Sequence, residues 1–148
     1  MSVRWKKYLW DEPRPATPRD IARIEQAWGV ALPEAYKQVI ATHQGMVPVP
    51  STFRVGSVSD SMGPLLTLGP DPRWGSAYCA LDIHEQFKSF LPEGVYPFAT
   101  TPGGEYLCFD YRDAAGEPRI VFMTVEARLL PVADDFARLL QTLYDSET

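Results

Sequence analysis

Two cysteines and two histidines in 148 residues leave little material for metal or nucleophile chemistry. A zinc site takes about four nitrogen or sulfur ligands in tight clusters, and the chain has neither C-x-x-C nor H-x-x-x-H. Two cysteines are also too few for a disulfide scaffold. Cys79 in AYCAL and Cys108 in YLCFD sit among apolar neighbours, where a free cysteine acts as a small buried hydrophobe. A Cys79–Cys108 bridge is the alternative, disfavoured in a reducing compartment. No apolar run reaches the 18 residues of a membrane span. The opening MSVRWKKYLWDEPRP starts basic, but no apolar core follows as in a secretory signal. A cytoplasmic location is therefore expected. Basic residues are in deficit, 14 Lys and Arg against 19 Asp and Glu, for a formal charge of −5. Nonspecific nucleic-acid binding needs a basic stripe, so it is not expected. The acidic balance suits a basic protein partner, and equally the plain solubility of a small domain.

What is present reads as one domain over 1–148, long enough to bury about two thirds of its unfolded surface. The hydrophobic share of 45% and the charged share of 22% are ordinary for a globular protein. Trp5, Tyr8 and Trp10 crowd the first 16 residues. Large aromatics bury up to ~250 Å² each, so this extension is expected to pack on the body, or to offer an aromatic anchor to a partner.

Thr17-Pro18-Arg19-Asp20 opens a helix, with Thr17 as cap, Pro18 at the first position and Asp20 closing a capping box. Ile21, Ile24 and Trp28 share a face, and Gly29 stops it. A second helix starts at Leu32-Pro33, buries Tyr36, Val39 and Ile40, and ends at Gly45. From Gln44 to Gly75 prolines and glycines predict an irregular stretch, with short strands at Phe53–Val58 and Leu65–Leu68. A helix is expected late in Ser76–Leu91, carrying Ile83, Phe87, Phe90 and Leu91. Strands follow at Val95–Ala99, Tyr106–Tyr111, Ile120–Val125 and Leu129–Val132, with turns at TPGG and at Asp113-Ala114-Ala115-Gly116. Asp134 caps a last helix striped by Phe136, Leu139, Leu140 and Leu143. Helices first, an antiparallel sheet next and a closing helix predict an α+β fold.

The order of several short signals is informative. They are Gly29-Val30-Ala31-Leu32-Pro33, Pro97-Phe98-Ala99, Gly103-Gly104, Cys108-Phe109-Asp110-Tyr111, and the terminal helix with Phe136. Over about Thr17–Tyr144 this arrangement resembles the SUKH superfamily, found in yeast cell-wall-synthesis regulators and in bacterial immunity proteins. Where that family has an Asn-Gly-Gly-like turn, this chain has His43-Gln44-Gly45-Met46, a departure. The resemblance implies a helical hairpin, a mainly antiparallel sheet and a C-terminal helix. It also implies protein binding, with no cofactor and no metal. In the sharpest form the chain is an immunity protein that occludes a toxin, for instance a basic nuclease.

The resemblance assigns no contact residues, so they are chosen on physical grounds. Trp74 lies in the turn-rich Pro70–Gly75 with Arg73 and Asp71 beside it, and Phe53, Asp60 and Met62 share the irregular region. These six are the expected partner-binding residues, although Trp74 and Phe53 equally suit the core. Two other readings stay open. One is a regulatory or scaffold domain without a toxin. The other is a small hydrolase built from Cys108, Asp110 and a histidine, Cys108 and Asp110 sharing one strand face. Cys79, Asp82, His43 and His84 complete the pool for such chemistry. Gly103-Gly104 lacks the Lys and Ser/Thr of a phosphate loop, and Asp134-Asp135 fits a helix start.

Overall fold

The computed structural model describes residues 3–69, 71–114 and 116–146. Helix α1 (Pro18–Trp28) begins as its sequence requires. The Asp20 amide donates to the Thr17 hydroxyl at 3.1 Å, and the Thr17 amide donates to the Asp20 carboxylate at 3.0 Å. That reciprocal pair satisfies donors that the helix itself leaves open. The helix ends at Gly29, whose φ of 71° costs glycine little. Helix α2 (Glu34–His43) follows Pro33 and buries Tyr36 and Ile40.

Two small hairpin sheets come next in space. β1 (Arg4–Lys6) pairs antiparallel with β2 (Val47–Val49), and β3 (Thr52–Val55) with β4 (Val58–Ser61). Helix α3 (Ala80–Phe87) leads into a four-stranded antiparallel sheet. Its strands β5 (Val95–Thr100), β6 (Tyr106–Asp110), β7 (Arg119–Met123) and β8 (Leu129–Ala133) lie side by side in chain order. Helix α4 (Phe136–Thr142) closes the fold. The architecture is α+β, with a helical pair, antiparallel sheets and a C-terminal helix.

Strand alternation sorts the sheet's two faces. Tyr96, Phe98, Leu107, Phe109, Ile120 and Phe122 join the main core with the helices. Val95, Cys108, Val121 and Met123 form a smaller cluster on the other side, under Leu91 and Phe87. The main core centres on four rings. Phe98 stacks on Phe109 at 4.3 Å, while Tyr36 and Phe136 meet both rings edge-on.

Some expectations are corrected. Gln44–Gly75 holds three strands, and Phe53–Val58 is not one of them but a hairpin turning at Gly56-Ser57. Leu65–Leu68 is buried yet not a strand. Its amides bond in turn to Met46, Phe98, Tyr78 and the Gln44 side chain, so no single neighbour supplies a ladder. Phe90 is 68% exposed because α3 has ended at Phe87. Asp135, not Asp134, caps α4, accepting the Arg138 amide at 2.7 Å. Part of the expected Asp113–Gly116 turn, Ala115, lies outside the described residues.

Candidate functional site

Asp71 ties the N-terminal segment to the body. One carboxylate oxygen accepts the Trp10 indole N–H at 2.9 Å and pairs with Arg14. The other accepts the amides of Arg73 at 2.8 Å and Trp74 at 3.1 Å. Burial alone pushes this carboxyl up, but the Arg73 and Trp74 amides, Arg14 and Trp10 outweigh it and hold it below the usual range. The Trp74 indole returns the tie, donating to the Leu9 carbonyl at 2.7 Å.

The departing turn His43-Gln44-Gly45-Met46 completes the dock. The Gln44 amide nitrogen donates to the Arg14 carbonyl, and its oxygen accepts the Leu68 amide. The Leu9 amide donates to the Gly45 carbonyl. Gly45 has φ 76°, and a Cβ there would lie 2.8 Å from the Trp10 ring. A glycine is therefore required on two counts. Leu9 and Trp10 are buried as a result, while Tyr8 stays 58% exposed.

The docked segment walls a groove of about 520 Å³. Lys6 and Tyr8 stand on that wall, and Ser51 and Ser61 come from the ends of the β3–β4 hairpin. Tyr78 and Tyr106 add aromatic surface, and Thr100, Thr101, Pro102 and Gly104 form the opposite rim. Met62, Gly63 and Pro64 also line it. The Gly63 amide donates to the Thr100 carbonyl at 2.7 Å, and a Cβ on Gly63 would meet that same oxygen at 2.8 Å. The Thr101–Glu105 turn is fixed by backbone bonds and by two through the Thr101 hydroxyl, which donates to the Glu105 carboxylate and accepts the Glu105 amide. Among the described residues Lys6 is the one charged side chain lining the groove. Hydroxyls, rings and one cation suit recognition of a polar chain with some apolar surface.

The hydrolase constellation is not assembled. Cys108 is fully buried, and burial pushes its thiol far up. Asp110 is also fully buried, held by the Arg112 amide at 3.0 Å, by two Arg112 guanidinium bonds at 2.9 Å and by Arg119 at 3.4 Å. Burial pushes this carboxyl up, but those Arg112 and Arg119 contacts win and lower it. Its work is to brace the β6–β7 hairpin. His43 stacks on Trp5 at 5.5 Å, and His84 packs against Trp28 and Tyr96. Burial lowers both imidazoles. Cys79 is buried at the start of α3, and burial raises its thiol. Both cysteines are free. Among the described residues no hydrogen bond joins a cysteine to a histidine, and no group of three or more His, Cys, Asp or Glu is placed to hold a metal.

The six residues chosen from sequence fare differently. Phe53 and Met62 are each 1% exposed. Phe53 packs against Phe122 at 5.8 Å in the core, and Met62 lies at the groove's floor. The Asp71 carboxylate is taken up by internal donors. Asp60 is half-buried and accepts the Ser61 amide at 2.7 Å. Trp74 is half-buried, edge-on to Tyr78 at 5.4 Å, with exposed Arg73 over its ring at 5.3 Å. The structure thus sets Trp74 and Arg73 beside the groove and takes Phe53 away from it. Sequence reasoning missed Lys6, Tyr78, Tyr106, Thr100 and Thr101. Only the aromatic crowding near Tyr8 and the TPGG turn pointed towards them.

Among the described residues no helix is long and apolar enough to cross a membrane. Comparison with curated proteins finds no match. A family model does match, over residues 15–142, and so takes in both opening helices, all four strands of the main sheet and α4. By that match the chain belongs to the SMI1 / KNR4 family (SUKH-1).

Proposed function

We propose that this chain is a non-catalytic protein-binding domain that acts in the cytoplasm as an immunity protein, neutralising a toxin by covering it. The observation that carries this reading is the open groove, held by hydrogen bonds at Gly63–Thr100 and Thr101–Glu105, in a family body whose two cysteines are buried. Such a surface binds through shape and a few anchors and performs no bond chemistry. Tyr8 and Tyr78 are the anchors, Trp74 and Arg73 extend the surface beside Tyr78, and Asp60 adds an acid next to Ser61 in the chain. The N-terminal segment and the family body work as one unit, since the groove has walls from both. Occlusion needs only that the complex outlast the toxin's encounters with its target.

The test is a pull-down from the native host, with the wild-type chain and a Ser61→Trp chain as baits. Ser61 lines the groove at the end of an edge strand, so an indole there fills the space while suiting a strand. Wild type should retain one stoichiometric partner carrying a toxin domain, and the folded Ser61→Trp chain should lose it. Retention by both baits refutes the groove as the binding face. A partner whose toxicity is unchanged by an equimolar amount of the chain refutes immunity.

A further inference from the structure

The groove's charge is opposite in sign to that of the chain. The whole protein carries −5, yet the charged side chain lining the groove is Lys6. Arg4 and Lys7 flank it, both exposed. None of the three makes an ion pair with a described residue. The two acids nearest in sequence to the groove are already engaged, Glu105 by Thr101 and Asp60 by the Ser61 amide. An ammonium that no described residue pairs, at a half-enclosed surface, favours a carboxylate.

The backbone suggests the form of the ligand. Among the described residues β1 and β4 each pair with one strand only, and their ends, at Lys6 and Ser61, both reach the groove. Each therefore leaves an edge of backbone groups outside its own ladder, the Ser61 amide being held by Asp60, and an extended peptide can add to such an edge as a further strand. Tyr8, Tyr78 and Tyr106 then receive alternate side chains of that peptide.

We infer that the groove takes an extended segment of the partner protein, with an acidic side chain placed against Lys6. This rests on the protein-binding function proposed above and names the chemistry of the partner at that site. It differs from the expectation drawn from net charge, because a cation stands at the groove although the chain as a whole is acidic.

The test uses the full chain and a displayed library of random linear dodecapeptides without cysteine. Peptides that bind wild type and not Ser61→Trp should carry Asp or Glu at one fixed position. The best peptide and its Asp→Asn or Glu→Gln twin are then titrated by fluorescence anisotropy against wild type and Lys6→Met. The acid-to-amide change should weaken binding to wild type about fivefold, the upper end for a solvent-accessible pair. It should weaken binding to Lys6→Met less than about twofold, and the difference should shrink as salt rises. Equal losses on both chains overturn the inference. So does a set of groove-bound peptides without an acid, which leaves the groove standing as a protein-binding site. A library with no peptide sensitive to Ser61→Trp overturns the inference as well, and the function is then judged on the pull-down alone.

Discussion

Asp71→Ala should release the N-terminal segment while leaving the family body folded. The carboxylate accepts from the Trp10 indole, from Arg14 and from the amides of Arg73 and Trp74. A hydrogen bond to a charged acceptor contributes about 1.5–3 kcal/mol, but the contributions within one cluster do not add. The Arg14 side chain is 52% exposed, so water replaces its partner and its share is at most ~1 kcal/mol. The two amides flank an exposed turn and can also turn to water. The Trp10 indole cannot, because its ring lies buried against Gly45. The loss is therefore about 2–4 kcal/mol, set mainly by Trp10. Spread over the whole chain, ~3 kcal/mol would lower Tm by about 10 °C. The segment's ties are local, however, so part of the loss should appear as local opening instead. Trypsin reads this directly, since Lys6 and Lys7 lie in the segment. Cleavage there, followed by mass spectrometry, should speed at least tenfold in Asp71→Ala, with a Tm fall of no more than about 10 °C. Asp71→Asn should fall between, because it keeps an acceptor for the two amides. Unchanged cleavage together with a Tm within about 1 °C of wild type would refute the role given to Asp71.

Two further outcomes test the body of the fold. Phe136→Ala removes a fully buried ring that meets Tyr36, Phe98 and Phe109, and should destabilise by about 3–5 kcal/mol, or ~10–16 °C in Tm. A melting curve that overlays wild type would remove Phe136 from the core. Stability should also fall in two stages on acidification. His43 and His84 have folded pKa values below their unfolded value, so their contribution is complete above about pH 6.5 and declines as pH falls towards the folded values. Asp71 and Asp110 are likewise lowered, and their contribution is lost only below the unfolded carboxylate value of about 3.9. A Tm that stays flat from pH 7 to pH 5 would contradict the histidine part.

Much of the fold was legible because its signals are local. Thr17, Pro18, Asp20 and Gly29 lie within one helix, and each acts on residues a few positions away. The alternation at Cys108-Phe109-Asp110 likewise sorts a strand without reference to distant chain. The β3–β4 hairpin was legible in principle. Gly56-Ser57 between two β-branched valines is a two-residue loop, and it was lost by reading Phe53–Val58 as one run. The groove was not legible. Its walls come from segments at residues 6–8, 47–51, 61–64, 77–78 and 100–106, whose meeting no periodicity encodes. Asp71 shows the same limit. Its donors at Trp10 and Arg14 are 61 and 57 residues away, so a carboxylate that looked free in sequence is an internal fastener. Net charge is silent about the groove for a related reason, since a sum over the chain carries no position.

The family match begins at residue 15, yet Lys6 and Tyr8 stand before it. The groove therefore has one wall outside the matched region and the rest within it, joined where Asp71 and Gly45 hold Trp10. The prefix also packs on the body, Trp5 stacking on His43 at the end of α2, so a change at exposed Lys6 or Tyr8 is the kind that would alter the groove's wall and leave the core in place. Lys6 and Tyr8 thus hang on the body like a changeable key blade on a bow, the seat being Trp10 and the residues that hold it.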